Sequence, residues 1–569
     1  MTSPLAPALR RTLRDFEPLL PAEAALLQAL AAGGIAKIGY RRPAAASIEV
    51  NIRAEFLACL ACGGGGAPQG DAPSLQVLGA WVTGRLNLIE AAVPMSLWFY
   101  RCGFAATPLL DGARVQGDVS FPDCTLPGLR AQACTIAGTL ALNAGCAVAG
   151  AVRLERASVG GDLDCDRAQL CTGERATDVP RPLVADDARI SGNVLLRGGL
   201  RAHGEMRFVG ARIGGDLCAS FANLTAGVDA DGGRGIALNL DAVRVAGDVL
   251  LNAGFAAGGQ VRLRGARIDG DLDCTEAAFD VVGDAAWDGG AALLLDRAHI
   301  GGTLVLQRLQ TPLQGGSLTD ARAGALADDA SSWGQQHLLD GFSYRRLGRG
   351  APTDTPSRLN WLLRQHALHL GEEHRPQPWR QLIGALRQMG HEASADDVAI
   401  GRERHLRSVG RIGTAAPAAL RWLVRWGHAL FGFFAGYGHR PWRLVAWLVV
   451  LWLACGGLYW LAADQEVMAP ATVAGDKAAQ CGVNTPAGPG PECSQPLSGT
   501  PRFNPLVYSL DVLLPGLDLR QQGHWAPARD TPLGTATLAL TWAEALLGWL
   551  GGLTLIAAMA GLTDRDRRR

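Results

Sequence analysis

One short phrase recurs between residues 76 and 310 and constrains the chain more than any other feature. A small residue, usually alanine, stands two positions before an Ile or Val. A glycine follows that Ile or Val by two, and an aliphatic residue comes two later. The glycines are Gly84, Gly117, Gly138, Gly161, Gly192, Gly215, Gly247, Gly270 and Gly302. In GARIDGDLDC, residues 265–274, Ile268, Gly270, Leu272 and Cys274 alternate with Arg267, Asp269, Asp271 and Asp273. Period-two alternation predicts a half-buried strand, with the first set inward and the charged set outward. A glycine at an inward position leaves room where backbone crowds.

The spacing adds a second order. Gly84, Gly138, Gly192, Gly247 and Gly302 are separated by 54, 54, 55 and 55 residues, and Gly161, Gly215 and Gly270 by 54 and 55. The unit is therefore about 55 residues holding two coils, one of about 23 residues and one stretched by a polar insertion. The insertions are CTGERATDVPRP, TAGVDADGGRG and the segment around VVGDAAWDGG. Short strands repeated without intervening helices predict a mainly β fold, a right-handed β-solenoid over 76–320 with coils stacked about 4.8 Å apart. Insertions recurring once per unit form a lateral ridge, the expected docking surface for a cytoplasmic protein partner.

Composition fits this. Glycine is abundant, at 73 of 569 residues, and aromatics make up 6%. The 53 basic and 53 acidic side chains leave no net charge, so nothing global points to nucleic acid. Residues 1–75 read as a helical N-terminal cap, with no apolar leader of the signal-peptide kind at its start. Residues 325–410 read as a helical, hairpin-like linker, and 415–440 as a basic, aromatic juxtamembrane helix.

Residues 444–463 carry no charge and can span a bilayer. Residues 533–562 form a second apolar run, interrupted only by Glu544, before a basic tail at 563–569. Arg421, Arg425, Arg440 and Arg443 precede the first run, and Arg565, Arg567, Arg568 and Arg569 follow the second. The positive-inside rule then predicts a multi-pass protein of the bacterial inner membrane with both termini cytoplasmic. Residues 464–532 fall on the other side, where Cys481 and Cys493 are expected to form a disulfide. The small residues Gly551, Gly552, Ala557 and Ala558 permit helix–helix self-association and a homo-oligomer.

Several pieces resemble a bacterial family of membrane-attached, pentapeptide-repeat-like β-solenoid proteins often labelled "membrane-associated oxidoreductase". They are IRAEFLACL, the ARIxGDL coils, QPWRQLIGALRQMGHEASADDVAIGRER, GYGHRPWR and FNPLVYSLDVLLPGLDL. The resemblance implies a membrane-bound solenoid and, by its label, redox activity. The residues give that activity no support. No G-x-G-x-x-G follows a strand, so no nucleotide cofactor, and no cofactor of any kind, is expected. The redox candidates Cys59 and Cys62 form C-x-x-C inside an apolar helical stretch, where packing is the expected role. His366, His369 and His374 with Glu372 and Glu373 could ligate a metal, but a solvated helix surface is the expectation, and no metal site or catalytic residue is assigned. Asp118, Asp162, Asp216, Asp248 and Asp271, with Arg114, Arg212, Arg244 and Arg267 four residues before four of them, read as an alternating-charge outer wall.

The membrane-functional candidates are Glu544, because charge at membrane depth is costly, and Asp511, on an interfacial or re-entrant helix over 504–517. A helix between two spans occupies the place of a pore helix, although GYG at 436–438 precedes the first span and cannot line a filter. The expected function is a non-enzymatic docking or sensing scaffold. An oligomeric pore or mechanosensor is the second expectation, and a membrane oxidoreductase the third.

Overall fold

The computed structural model describes residues 12–64, 74–170, 181–226, 235–280, 291–471, 501–514 and 516–559. They fall into two compact units, residues 1–395 and 396–569. The insertion residues 171–180, 227–234 and 281–290 lie outside the described residues, as do Cys481 and Cys493.

The first unit begins with helices α1 (Pro21–Ala31) and α2 (Ala54–Ala61) and continues in parallel strands. Among the described residues these make sheets of twenty-one, ten and seven strands. A single circuit shows the rule. Thr125–Leu126, Leu129–Arg130, Thr135–Ile136 and Leu140–Ala141 visit the ten-stranded sheet once, the seven-stranded sheet once and the largest sheet twice. Each strand after the first pairs in parallel with its equivalent 21–33 residues later. Side chains of like position therefore stack. Ile136, Val159, Ile190, Ile213, Val245, Ile268 and Ile300 are Cα partners in succession, and each is at most 3% exposed. Burying each such side chain contributes roughly 1.5–3 kcal/mol, so the aliphatic column holds the circuits together.

Two features depart from the sequence-based expectation. The repeat phrase is two strands around a corner, as in Arg267–Ile268 and Leu272–Asp273, and Gly270 occupies the bend between them. Other corners use left-handed backbone at residues such as Arg156, Asp187 and Glu276 (φ 58°, 54° and 60°). The strands also exceed the expected limits of 76 and 320. Ala36–Lys37 and Asn51–Arg53 already pair with later strands inside the expected cap, and Arg322–Asp328 and Ser343–Leu347 extend the largest sheet into the expected linker. Those two late strands lack the ARIxGDL phrase, and pairing with the preceding circuit keeps them extended.

Both ends of the stack are tied by polar contacts. Glu23 of α1, 0% exposed, accepts from Arg53 Nε (2.8 Å), Arg53 N (3.0 Å) and Leu20 N (3.0 Å). After the last strand come α3 (Thr355–Leu363) and α4 (Gln377–Gln388). From α4, Gln377 donates to Phe342 O (2.9 Å) and accepts from Gly341 N (2.9 Å), while Gln381 donates to Tyr344 O (2.5 Å). Amide side chains thus occupy backbone groups in and just before the terminal strand, where an open edge would otherwise template association.

The second unit contains α5 (Glu392–Ser408, which begins in the first unit), α6 (Arg421–Ala435), α7 (Pro441–Asp464), α8 (Pro505–Leu513) and α9 (Pro532–Met559). Helices α7 and α9 are long and apolar enough to cross a membrane. Gly436, left-handed at φ 55°, ends α6, and Tyr437 packs against His428 with ring centroids 4.6 Å apart. GYG therefore forms a helix C-cap.

Candidate functional site

The second unit places a buried polar cluster where α7, α8 and α9 meet. Proline at its first turn and Asn504 as N-cap start α8, Asn504 accepting from Leu506 N (3.1 Å) and Val507 N (3.3 Å). Glycines let the helices close. A Cβ on Gly548 of α9 would stand 2.0 Å from Leu513 O, and one on Gly456 of α7 would stand 2.6 Å from Leu506 Cδ2. Gly551 is likewise filled from within the chain, by Leu448 at 2.8 Å from such a Cβ, whereas Gly552 meets nothing within 4 Å.

Glu544 lies at the centre, 1% exposed. Its Oε2 accepts from Tyr459 Oη at 2.8 Å and its Oε1 from Ser509 Oγ. Tyr459 Oη also lies 3.2 Å from Thr541 Oγ1, and Ser509 Oγ lies 3.1 Å from Trp452 O. All three helices thus contribute to one carboxylate. Cys455, Tyr459, Tyr508 and Val512 form a buried cluster of their own, with Tyr459 and Tyr508 edge to face at 4.9 Å. A buried carboxylate is tolerated because donors occupy its lone pairs. The sequence pointed to Glu544 but not to Ser509 or Tyr459, whose only signal was a hydroxyl within an apolar stretch.

Asp511, on the same short helix, does something different. Its carboxylate accepts from the backbone N–H groups of Leu519 (2.9 Å), Gln521 (3.0 Å) and Gln522 (2.9 Å). Gln521 in turn donates to Arg502 O at 3.2 Å. Asp511 therefore gathers the loop after α8, which leads to the antiparallel pair Met468–Pro470 and Trp525–Pro527. Among the described residues no hydrogen bond joins Asp511 to the Glu544 cluster.

Large apolar side chains cover the outside of this unit. Trp442 and Trp460, near opposite ends of α7, are 67% and 61% exposed, and Trp542 on α9 is 67% exposed. On α6, Trp422 and Trp426 project beside Arg421 and Arg425. Apolar surface this continuous suits lipid contact more than water.

The remaining candidates are in the first unit. Cys59 is buried in α2, where burial raises its thiol pKa. Burial and the neighbouring Cys59 push Cys62 up to about 11. Both are poor thiolates at neutral pH. Cys102, Cys124 and Cys146 precede strands that pair in succession, and all three are buried core fillers. His366 caps a single turn, His369 is 7% exposed, and burial lowers its pKa. Among the described residues no group of three His, Cys, Asp or Glu side chains is arranged to hold a metal ion.

The repeat aspartates are not simply an outer wall. Asp118, Asp162, Asp216, Asp248 and Asp271 accept from Thr139, Asn193, Asp248, Asp271 and Thr303 N–H on the next circuit at 2.6–2.8 Å. Backbone N–H groups are their shared partners, and among the described residues none of these aspartates forms an ion pair with Arg114, Arg212, Arg244 or Arg267.

Comparison with family models, curated proteins and solved structures returns no match for this chain.

Proposed function

We propose that this protein is an integral inner-membrane scaffold, displaying a cytoplasmic right-handed β-solenoid as a docking or sensing surface, without enzymatic activity. The observation that carries this is the continuity of strand pairing from Ala36 to Leu347 in a chain that also holds two apolar helices of spanning length. In-register stacking makes each circuit depend on its neighbours, which gives a stiff element able to present recurrent insertions at fixed spacing. The weakly acidic thiols of Cys59, which is buried, and Cys62, which is half-buried, weigh against a dithiol redox role. The engagement of Asp511 by backbone N–H groups and of Glu544 by Tyr459 and Ser509 weighs toward helix packing over pore lining.

The insertions are the proposed contact ridge. The test replaces residues 171–180, 227–234 and 281–290 by neutral linkers in the full chain. Site-specific cross-linking in membranes identifies the partner of the wild type, and the purified partner is then titrated against both proteins in detergent. The expected result is at least a tenfold loss of affinity with unchanged circular dichroism. Undiminished affinity overturns the role of the ridge. Reporter fusions at residue 480 and at the C-terminus test the topology, which fails if both report the same side.

A further inference from the structure

The outward position that opens each repeat phrase forms a column. Arg189, Arg212, Arg244, Arg267, His299 and Arg322 are successive Cα partners in the largest sheet, and all are exposed. At a strand spacing of about 4.8 Å, the column runs roughly 24 Å in a single file. Like charges directly opposite one another across a sheet are destabilising. Even so, among the described residues Arg189, Arg212, Arg244 and Arg267 have no ion pair.

The same fold shows how it treats arginine elsewhere. On the seven-stranded sheet, Arg130 pairs with Asp111 at 2.6 Å, Arg153 with Glu155 at 3.5 Å and Arg207 with Asp186 at 2.6 Å. The repeat aspartates Asp216, Asp248 and Asp271, four residues after Arg212, Arg244 and Arg267, are held by backbone N–H groups instead. One face is internally neutralised and the other is left cationic in a chain of zero net charge.

A groove runs along the column, floored by the small residues Ser191, Gly214 and Ala246, with Asp269 as the carboxylate in its lining. A second groove continues past His299 and Arg322 to Arg380 of α4. We propose that this groove binds a linear, unsubstituted polyanion, inorganic polyphosphate, through the guanidinium column. Guanidinium forks match phosphate oxygens in a bidentate manner. The cations stand in one file while the adjacent outward file is neutral or acidic, which suits a line of charge better than the plane of an anionic bilayer. No aromatic side chain lines the groove beside Arg189–Arg267 to stack a base, which disfavours single-stranded nucleic acid. An extended acidic peptide repeats its same-face charges about every 6.6–7 Å, out of step with the column, and its side chains need room that a bare phosphate chain does not. The column consists of described strand residues, so its failure and that of the insertion ridge are separable.

The test titrates fluorescent inorganic polyphosphate against the full-length protein in detergent at several salt concentrations. The Arg212→Gln/Arg244→Gln/Arg267→Gln variant is expected to lose about tenfold or more in affinity, and its salt dependence to flatten by about three units of slope. The single Arg244→Gln variant, expected to flatten by about one unit, keeps the test valid where the triple variant misfolds. The Arg130→Gln/Arg153→Gln/Arg207→Gln variant is expected to bind as the wild type does. Unaltered binding in the column variants, equal loss in the control variant, or binding confined to anionic vesicles, polyglutamate or single-stranded DNA overturns the proposal.

Discussion

Asp216 Oδ1 occupies the space where a Cβ on Gly247 would stand, 1.9 Å away, and accepts the N–H of Asp248 at 2.8 Å. Each circuit thus sends a side-chain oxygen under the glycine of the next. Gly138, Gly192, Gly270 and Gly302 lie the same way over Asp118, Asp162, Asp248 and Asp271, while Gly215 lies over Asn193 and Gly161 over Thr139. Replacing Gly247 by Ala forces out either the carboxylate or the backbone. It should cost about 1–3 kcal/mol as overpacking, measured as a lower urea midpoint. Asp216→Ala removes the acceptor for a partly buried N–H and should cost about 1–3 kcal/mol. Asp216→Asn should be far milder, because Asn193 already makes the same contact to Asp216 N at 2.8 Å. Equal loss for Asn and Ala would show that charge, and not the acceptor, matters.

Arg358 and Asp328 form a bidentate pair at 2.9 and 2.7 Å, with both side chains at most 2% exposed, and Trp333 Nε1 donates to the same carboxylate at 2.8 Å. Arg358→Ala leaves a buried carboxylate with a single donor and should destabilise the last strands and α3 by about 3–5 kcal/mol. The double variant with Asp328→Ala should cost much less than the sum of the two single changes. Hydrogen exchange over residues 322–363 reads both, and additivity would count against a coupled pair.

The strand stacks were legible because period-two alternation and a 54- to 55-residue spacing are local signals, and Ile268, Leu272 and Cys274 are buried as that alternation requires. The reason for Gly270 was not legible. It lies in Asp248 of the preceding circuit, and no single-strand pattern contains that contact. The D, N or T that follows every repeat glycine except Gly84 was the available signal. Arg267 and Asp271 look complementary in sequence, yet a corner separates them and the backbone takes the carboxylate. In the second unit, hydropathy marked α7 and α9, and the charge of Glu544 stood out, but its partners Tyr459 and Ser509 come from segments 85 and 35 residues away. Only packing brings such pairs together.

His337 supplies a pH dependence. It is 0% exposed, its Nδ1 accepts from Gly316 N at 3.2 Å, and burial lowers its pKa from 6.5 to about 4, with Arg364 adding to the shift. Between these values the unfolded chain binds a proton that the folded chain refuses. Stability is therefore full above pH 6.5 and falls as pH drops toward 4, by about 3 kcal/mol at full effect. His337→Asn keeps an acceptor without the titration, so its urea midpoint should vary less across that window. Glu23, whose burial is outweighed by the Arg53 contacts so that its pKa is lowered, loses its contribution only below 4.5. An unchanged slope in the Asn variant would remove His337 as the cause.

Glu544 is the point where α7, α8 and α9 share one group, so changes around it should be strongly non-additive. Tyr459→Phe and Ser509→Ala each remove one donor to the buried carboxylate, and each should cost about 1–3 kcal/mol of helix packing. Once one donor is gone the cluster has already loosened, and the double variant should fall short of the sum by at least about 0.5 kcal/mol. Glu544→Gln keeps the volume but turns an amide N–H₂ toward a hydroxyl donor, and it should resemble a single donor loss. Resistance of the detergent-solubilised protein to denaturation by sodium dodecyl sulfate reads all four. Ion flux through liposomes carrying the same variants separates packing from conduction. Altered stability without flux supports a packing centre, whereas wild-type stability with a conductance that changes in Glu544→Gln would reassign the cluster to a pore.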